Sequence, residues 1–183
     1  MEDQLMLRPV PDNALSLFDR LSNDPGGTGP HEWHGWSDSG AWRRRWADTG
    51  LLGDSGGVLM VIRGADRVGF VSWRKVQTGQ ISYCWAIGIC VAPEFRGRGY
   101  GSAAQQLLAQ YLFAHTQVNR IQAEVEMTNL AEQRALEHAG FTREGVLRGA
   151  TFRFGQWHDQ VLYSVLRDEV EIGADGSGVP GLA

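Results

Sequence analysis

Residues 89–102, Ile89-Cys90-Val91-Ala92-Pro93-Glu94-Phe95-Arg96-Gly97-Arg98-Gly99-Tyr100-Gly101-Ser102, read as a strand that runs through a glycine-rich turn into a helix. Three glycines at alternate positions free the backbone to converge its N–H groups where a helix N-terminus also points, an arrangement suited to an anion. Arg96 and Arg98 add cationic donors, so the expected ligand is a phosphate or pyrophosphate. Two common phosphate loops do not fit. A Walker A loop needs a Gly-Lys-Ser/Thr ending, and this stretch holds no lysine. A dinucleotide fingerprint needs Gly-x-Gly-x-x-Gly, but the third glycine arrives one residue early at Gly101, and Ile121, twenty residues on, is no ribose-binding acid.

Other reactive side chains gather less tightly. His31-Glu32-Trp33-His34 departs from the zincin pattern His-Glu-x-x-His, because position 35 is Gly35, and no metal site is expected. Trp33, His34 and Trp36 suit a pocket in which rings supply area and a few polar groups fix orientation, or else cap a small core. Glu124 and Glu126 fall on one face of a strand and could reach a cleft; a half-exposed strand face explains them equally well. His158 and Asp159 are further candidates. Tyr83, Trp85 and Ile87 alternate on one strand face and read as packing, and His115 and His138 as surface or satisfied core histidines.

Periodicity supplies the elements that must position these groups. Residues 5–10 read as a strand, followed by a helix capped by Asp12 or Asn13 with Ala14, Leu17, Phe18 and Leu21 on one face. Residues 23–30 are too rich in turn formers to be regular. Ser37 or Asp38 then caps a helix whose Trp42 and Trp46 share a face, with Arg43, Arg44 and Arg45 on a solvated one. Runs at 58–63, 68–75 and 81–91 form an antiparallel meander. Tyr100, Ala103, Ala104, Leu107, Leu108, Tyr111 and Leu112 mark the clearest helix. A strand at 121–126, a short helix ended by a left-handed Gly140, and a hairpin of 146–154 and 157–166 about Gly155-Gln156 complete the pattern. The strand–helix–strand order makes 81–91 and 121–126 parallel neighbours through a right-handed crossover. The fold class is α/β of the α+β kind: a single domain over 1–170, with 171–183 a disordered tail.

Composition narrows the function classes. Seventeen Lys plus Arg against 21 Asp plus Glu give a net charge of −4, which disfavours a polyanion partner, including RNA bound through Arg43–Arg45. No apolar stretch reaches the roughly 18 residues of a membrane helix, and the N-terminus lacks a signal-peptide pattern, so a soluble cytoplasmic protein is expected. Cys84 and Cys90 would sit about 20 Å apart on one strand at about 3.3 Å per residue, beyond disulfide reach.

Arg96-Gly97-Arg98-Gly99-Tyr100-Gly101 resembles the Arg/Gln-x-x-Gly-x-Gly/Ala motif of the GCN5-related N-acetyltransferases (GNAT), and the order of elements is similar. Asn129 through Phe141, and the blocks 145–148, 155–159 and 163–166, resemble the branch typified by the ribosomal-protein N-terminal acetyltransferases. The likeness spans about residues 5–170, strongest from 83 onward. It implies a mostly antiparallel mixed sheet whose central parallel strands splay, with flanking helices, and transfer of an acetyl group from acetyl-CoA to a primary amine by direct attack in a ternary complex. By position, Arg96, Gly97, Arg98, Gly99, Tyr100, Gly101 and Ser102 would take the CoA pyrophosphate, and Ile89, Cys90 and Val91 would pair with the pantetheine arm and polarise the acetyl carbonyl. Asn129 would bind the same arm. Trp33, His34 and Trp36 would contact the acceptor, either a small amine or a protein N-terminus.

The likeness breaks down at the proton-transfer positions. Leu136 stands where many members carry the Tyr that protonates the thiolate, Glu132 where the branch often carries Ser, and Ala86 where a carboxylate is common. Glu126 and Glu132 are therefore the candidate catalytic residues, Glu132 only if burial keeps it protonated. A CoA-binding regulatory module with little catalysis is the alternative. The family's habit of pairing suggests a homodimer through the apolar run 161–166.

Overall fold

The computed structural model describes residues 4–171. Of the tail expected over 171–183, all but Glu171 lies outside the described residues.

One eight-stranded sheet organises the chain. Its strands are β1 (Leu5–Arg8), β2 (Leu52–Gly53), β3 (Gly56–Arg63), β4 (Asp66–Gln77), β5 (Tyr83–Val91), β6 (Arg120–Glu126), β7 (Thr142–Arg153) and β8 (Gln156–Leu166). They run in the order β1-β3-β4-β5-β6-β8-β7, with β2 beside β3. Every pairing is antiparallel except β5 with β6, the parallel pair that the crossover rule requires. The mixed, mostly antiparallel α/β architecture is as expected.

Both faces of the sheet are covered, and β3 shows why its sequence is apolar without alternation. Leu59 and Val61 face the main core while Val58 and Met60 face a second cluster. The main core is built on α4 (Tyr100–His115), which buries Ala104, Leu108, Ala109, Leu112 and Phe113. The second cluster is closed by α1 (Leu15–Asn23) and α3 (Ala41–Thr49), with Trp42 and Trp46 side by side against it as their spacing predicts. Trp46 donates to the Val10 carbonyl at 2.6 Å and Trp42 to Ser22 at 3.0 Å, so each indole N–H is satisfied. Arg43 and Arg44 pair with Asp12 and Asp38, and Arg45 lies over the Trp42 ring.

Several local expectations are corrected. Residues 23–30 contain a short helix, α2 (Pro25–Thr28): Asp24 accepts from the Gly26 N–H at 3.0 Å, and Pro25 occupies the first turn, where its missing N–H costs nothing. Gly27 is required there, since a Cβ would lie 2.9 Å from the Arg20 carbonyl of α1. Neither Asp12 nor Asn13 caps α1. A 3-10 turn (Asp12–Ala14) precedes that helix, and the two side chains accept instead from Arg43 at 2.7 Å and Arg67 at 2.6 Å. Neither Ser37 nor Asp38 is the cap of α3: Gly40 is, without a side-chain bond, and Asp38, three residues ahead of Ala41, accepts from the Gly40 N–H at 2.8 Å.

The closing hairpin turns at Phe154-Gly155, one residue earlier than expected, because both residues take positive φ, 49° and 77°, as a two-residue turn demands. Within the run 161–166, Val161, Tyr163 and Val165 are buried in the main core and Leu162 and Leu166 are half-buried; the exposed rings of this hairpin are Phe152, Phe154 and Trp157. Gly140 ends α5 (Leu130–His138) at φ 90°, as expected. Cys84 and Cys90 are both free on β5. Among the described residues no helix is long and apolar enough to cross a membrane.

Leu108 is wholly buried where α4 meets the sheet. Leu108→Ala should therefore cost about 2–5 kcal/mol in denaturant unfolding, moving the midpoint and leaving the slope unchanged.

Candidate active site

The parallel strands β5 and β6 are in register only at Trp85↔Ile121 and Ala86↔Gln122. β5 continues to Val91, still bonded to β4 on its far side, while β6 stays with β8 to Glu126. They therefore splay beyond residue 87. Along β5 burial ends at the same point: residues 84–87 are buried and 88–91 are not. One backbone edge of 88–91 is left without a strand partner and opens into a cavity of about 870 Å³.

The glycine-rich turn borders this cavity. Gly97 and Gly99 take φ of 73° and 78°, and a Cβ on either would meet nothing within 4 Å. Conformation, not space, is what demands glycine at both. Gly99 is the N-cap of α4 and gives it no side-chain cap, so the first N–H groups of the helix are left for a ligand.

Of the expected site residues, Ile89, Cys90, Val91, Arg96, Gly97, Gly99, Tyr100, Gly101, Ser102, Asn129 and Glu132 line the cavity; Arg98, Trp33, His34, Trp36 and Glu126 do not. Arg96 has its donors engaged elsewhere: Nε bonds the Val91 carbonyl at 2.9 Å, and the guanidinium reaches the Gly26 and Gly27 carbonyls at the end of α2. It ties the 25–29 segment to the end of β5 rather than standing free as a phosphate donor. The Arg98 guanidinium lies 5.7 Å from the Phe95 ring centre. Asn129 caps α5, its Oδ1 accepting from the Glu132 N–H at 3.2 Å. The Cys90 thiol is pushed up to about 11 by burial.

Glu132 is half-buried on the first turn of α5. Burial and the nearby Glu32 carboxylate raise its pKa from 4.5 to about 7, against the hydrogen bond from Gln105. It carries a proton about half the time near neutrality, as an acid must.

Glu126 has the opposite character. It is 4% exposed and forms a buried ion pair with Arg153 at the end of β7, accepts from the Thr128 hydroxyl at 2.6 Å, and lies 3.2 Å from Nδ1 of His31 and 3.8 Å from that of His158. Burial opposes its ionisation, but the hydrogen bonds from Thr128, Arg153 and His31 prevail and bring its pKa to about 2. A carboxylate so strongly held as the anion is a poor proton acceptor near neutrality. Its partner Arg153 also donates to the Pro30 carbonyl, so the pair clamps the loop that follows α2. Glu124, its neighbour on the strand, lines the cavity and is exposed.

The aromatic loop packs outward instead. Trp33 stacks on Phe154 with ring centres 6.0 Å apart and meets Trp36 edge-on at 5.8 Å, and Trp36 is 78% exposed. The cavity receives Gly29, Pro30, His31 and Glu32 from this loop. Glu32, His31, Arg153, Thr128 and Gln105 carried no motif; only the loop's richness in ionisable residues marked it. Asp159 accepts from the Gly149 N–H at 2.7 Å and has a local structural role. Among the described residues no three His, Cys, Asp or Glu side chains group as a metal site would need.

A splayed parallel pair, an open strand edge and an uncapped glycine turn at a helix start make a cleft suited to an extended ligand that ends in an anion. Residues 4–142 match the family described as Acetyltransferase (GNAT) domain. The chain is 32% identical over 130 residues, 71% of its length and 67% of the relative's, to the putative ribosomal N-acetyltransferase YdaF of Bacillus subtilis. It is 31% identical to the probable N-acetyltransferase YjcK of the same organism over 57% of each chain. Among solved structures it resembles Mycobacterium smegmatis RimJ in complex with CoA-disulfide (TM-score 0.74, 25% identity, 90% of this chain and 83% of that one). It shares its fold with the Vibrio cholerae spermidine N-acetyltransferase in complex with CoA and spermine (TM-score 0.76, 19% identity, 91% and 97%). The chain belongs to the GNAT family and is an N-acetyltransferase.

The Glu126 ion pair yields a stability prediction. Its folded pKa is depressed, so its contribution is present above about pH 4.5 and lost as pH falls through about 2. Glu126→Gln should flatten the acid limb of stability in that window, leaving the slope due to Glu144, which Arg120 and Ser164 also bring to about 2. Arg153→Met, which strands a buried carboxylate, should cost about 3–5 kcal/mol in urea unfolding at pH 7.

Proposed function

We propose that the protein transfers the acetyl group of acetyl-CoA to a primary amine by direct attack within a ternary complex, without a covalent enzyme intermediate. The observation that carries this reading is the open backbone edge of 88–91, which leads straight into the glycine turn at the start of α4. In it, the N–H groups of 97–102 receive the pyrophosphate, the 89–91 edge pairs with the pantetheine arm, and a backbone N–H of that edge polarises the acetyl carbonyl. The NH2 of Asn129 is the polar contact available to the arm on the α5 side. Glu132 replaces the Tyr or Ser of other members as the acid: its proton goes to the thiolate sulfur as the C–S bond breaks.

The acceptor is a protein N-terminus, the B. subtilis relative YdaF being named a putative ribosomal N-acetyltransferase, or a small amine, the V. cholerae neighbour being a spermidine N-acetyltransferase. Thiol release from acetyl-CoA against N-terminal peptides, polyamines, amino acids and aminoglycoside-type amines, with calorimetric titration of CoA, separates them. Tight CoA binding without turnover on any amine would make the protein a CoA-binding module instead.

Two variants probe the machinery. Gly97→Ala forces a Cβ into a left-handed conformation at about 1–2 kcal/mol, and should weaken CoA binding about 5- to 30-fold in calorimetry. Because Glu132 must be protonated, kcat should fall as pH rises through about 7. Glu132→Gln should abolish that limb and lower kcat by about 10²-fold, the low end for general acids, since a thiolate leaves readily.

A further inference from the structure

Glu32 is the carboxylate that the loop after α2 delivers to the wall of the cavity that Ile89 and Cys90 of β5 and Glu132 of α5 also line. Its two preceding neighbours are both held from outside the cavity. The Pro30 carbonyl accepts from Arg153, and the His31 ring lies 3.2 Å from the Glu126 carboxylate that Arg153 neutralises. Gly29, one residue earlier, donates to the Pro25 carbonyl at 2.9 Å and accepts weakly from the Glu32 N–H at 3.4 Å. Arg153, 93% buried by its 7% exposure, thus fixes a segment 123 residues away in sequence. The clamp takes no part in lining the cavity, yet it determines where Glu32 stands.

Glu32 is close enough to Glu132 and to Cys90 to bear on the protonation of both, which sets it beside the stretch of β5 assigned to the thioester. Two carboxylates in one cleft repel unless a proton or a cation lies between them. The guanidinium of Arg96, the basic group of the turn nearest the loop, is committed to backbone carbonyls. With the proton held by Glu132, Glu32 is the anion that an entering ammonium group would pair with.

We propose that Glu32 binds the acceptor amine as its ammonium ion and takes the proton that must leave before attack, and that Arg153 and Glu126 are positioning residues that hold Glu32 in the cleft. The inference rests on the acetyltransferase reading above. The ammonium nitrogen gives one proton to the Glu32 carboxylate, which releases it to solvent along the exposed side of the loop. The nitrogen lone pair forms the C–N bond, and the C–S bond breaks with its electron pair on sulfur. Sulfur takes the Glu132 proton, and the second nitrogen proton restores Glu132.

The protein's own groups that act on Glu32 are His31 and His34 of its loop, Glu126 of β6, Arg153 of β7 and Glu132 of α5. Glu32 keeps an exposed side, but desolvation in the cavity wall, with the Glu126 charge, shifts its pKa above the ordinary 4.5, the His34 ring and then His31 and Arg153 pulling it back. The acid limb of kcat/KM for the amine therefore belongs to Glu32, and the alkaline limb of kcat to Glu132.

The experiment is steady-state acetylation of the panel's best amine by the parent, Glu32→Gln, Glu32→Asp, Arg153→Met and Arg153→Lys, with CoA affinity measured alongside. Glu32→Gln should raise the amine KM about 10- to 100-fold and erase the acid limb, with the CoA Kd within about twofold of the parent. Glu32→Asp should recover part of the loss. Arg153→Met should raise the amine KM while its CoA Kd holds, and Arg153→Lys, which keeps the charge and the fold, should lie between it and the parent. A Glu32→Gln protein with the parent's KM and acid limb would overturn this inference and leave the acetyltransferase reading intact. A parent that turns over no amine would overturn both.

Discussion

Two parallel strands that share a register of only two residues cannot continue as a sheet, and the rest of the molecule is arranged around that separation. Where β5 leaves β6, its backbone N–H and C=O groups lose one set of partners, and such groups are costly to leave unpaired away from water. They are tolerated because the gap is an open cleft of cofactor size. The strands are kept apart by what each still holds: β4 along the whole of β5, and β8 along the whole of β6. α4 buries one face across both, and its uncapped start meets the glycine turn at one end of the same gap.

A second constraint sits at the far end of β6. Glu126 is nearly inaccessible, and an ionised carboxylate there needs the Arg153 guanidinium and the Thr128 hydroxyl. Such a pair is weak evidence for net stability but strong evidence for geometry, since neither partner can move without stranding the other's charge. Here it joins the end of β6, the tip of the final hairpin and the loop after α2, three segments remote in sequence, the last of which brings Pro30, His31 and Glu32 to the cavity wall. The Trp33–Phe154 stack joins the same loop and hairpin tip on the outside. The carboxylates of the site divide by environment: Glu126 is held as an anion, whereas Glu132 is raised to about 7 and Glu32 is shifted in the same direction.

Much of this was legible in the chain. The alternating glycines at 97, 99 and 101 identified the turn because only glycine takes the left-handed φ that two of them require. The 3.6-residue period of 100–112 identified α4 because one face had to be buried, and the order of strand, helix and strand fixed the sole parallel pairing. The errors have local causes. Pro25-Gly26-Gly27 reads as a break, yet a single aspartate cap and close packing on α1 make it a helical turn. Asp12 and Asn13 have the right chemistry for a cap, but arginines distant in sequence claim them.

Short-range periodicity and steric rules act within a few residues, so the sequence by itself determined the sheet-and-helix order, the glycine-rich turn, the family and the absence of its usual Tyr, Ser and strand carboxylate. Only the tertiary structure decided which charged groups the cleft receives. Glu126 and Glu32 look alike as residues, and nothing within a few positions of either distinguishes them. Their difference arises from Arg153, 27 residues from one and 121 from the other, whose burial neutralises Glu126 and aims the loop that carries Glu32. Side-chain ionisation depends on dielectric and on charges within a few ångströms, and those distances are set by the fold, not by adjacency along the chain.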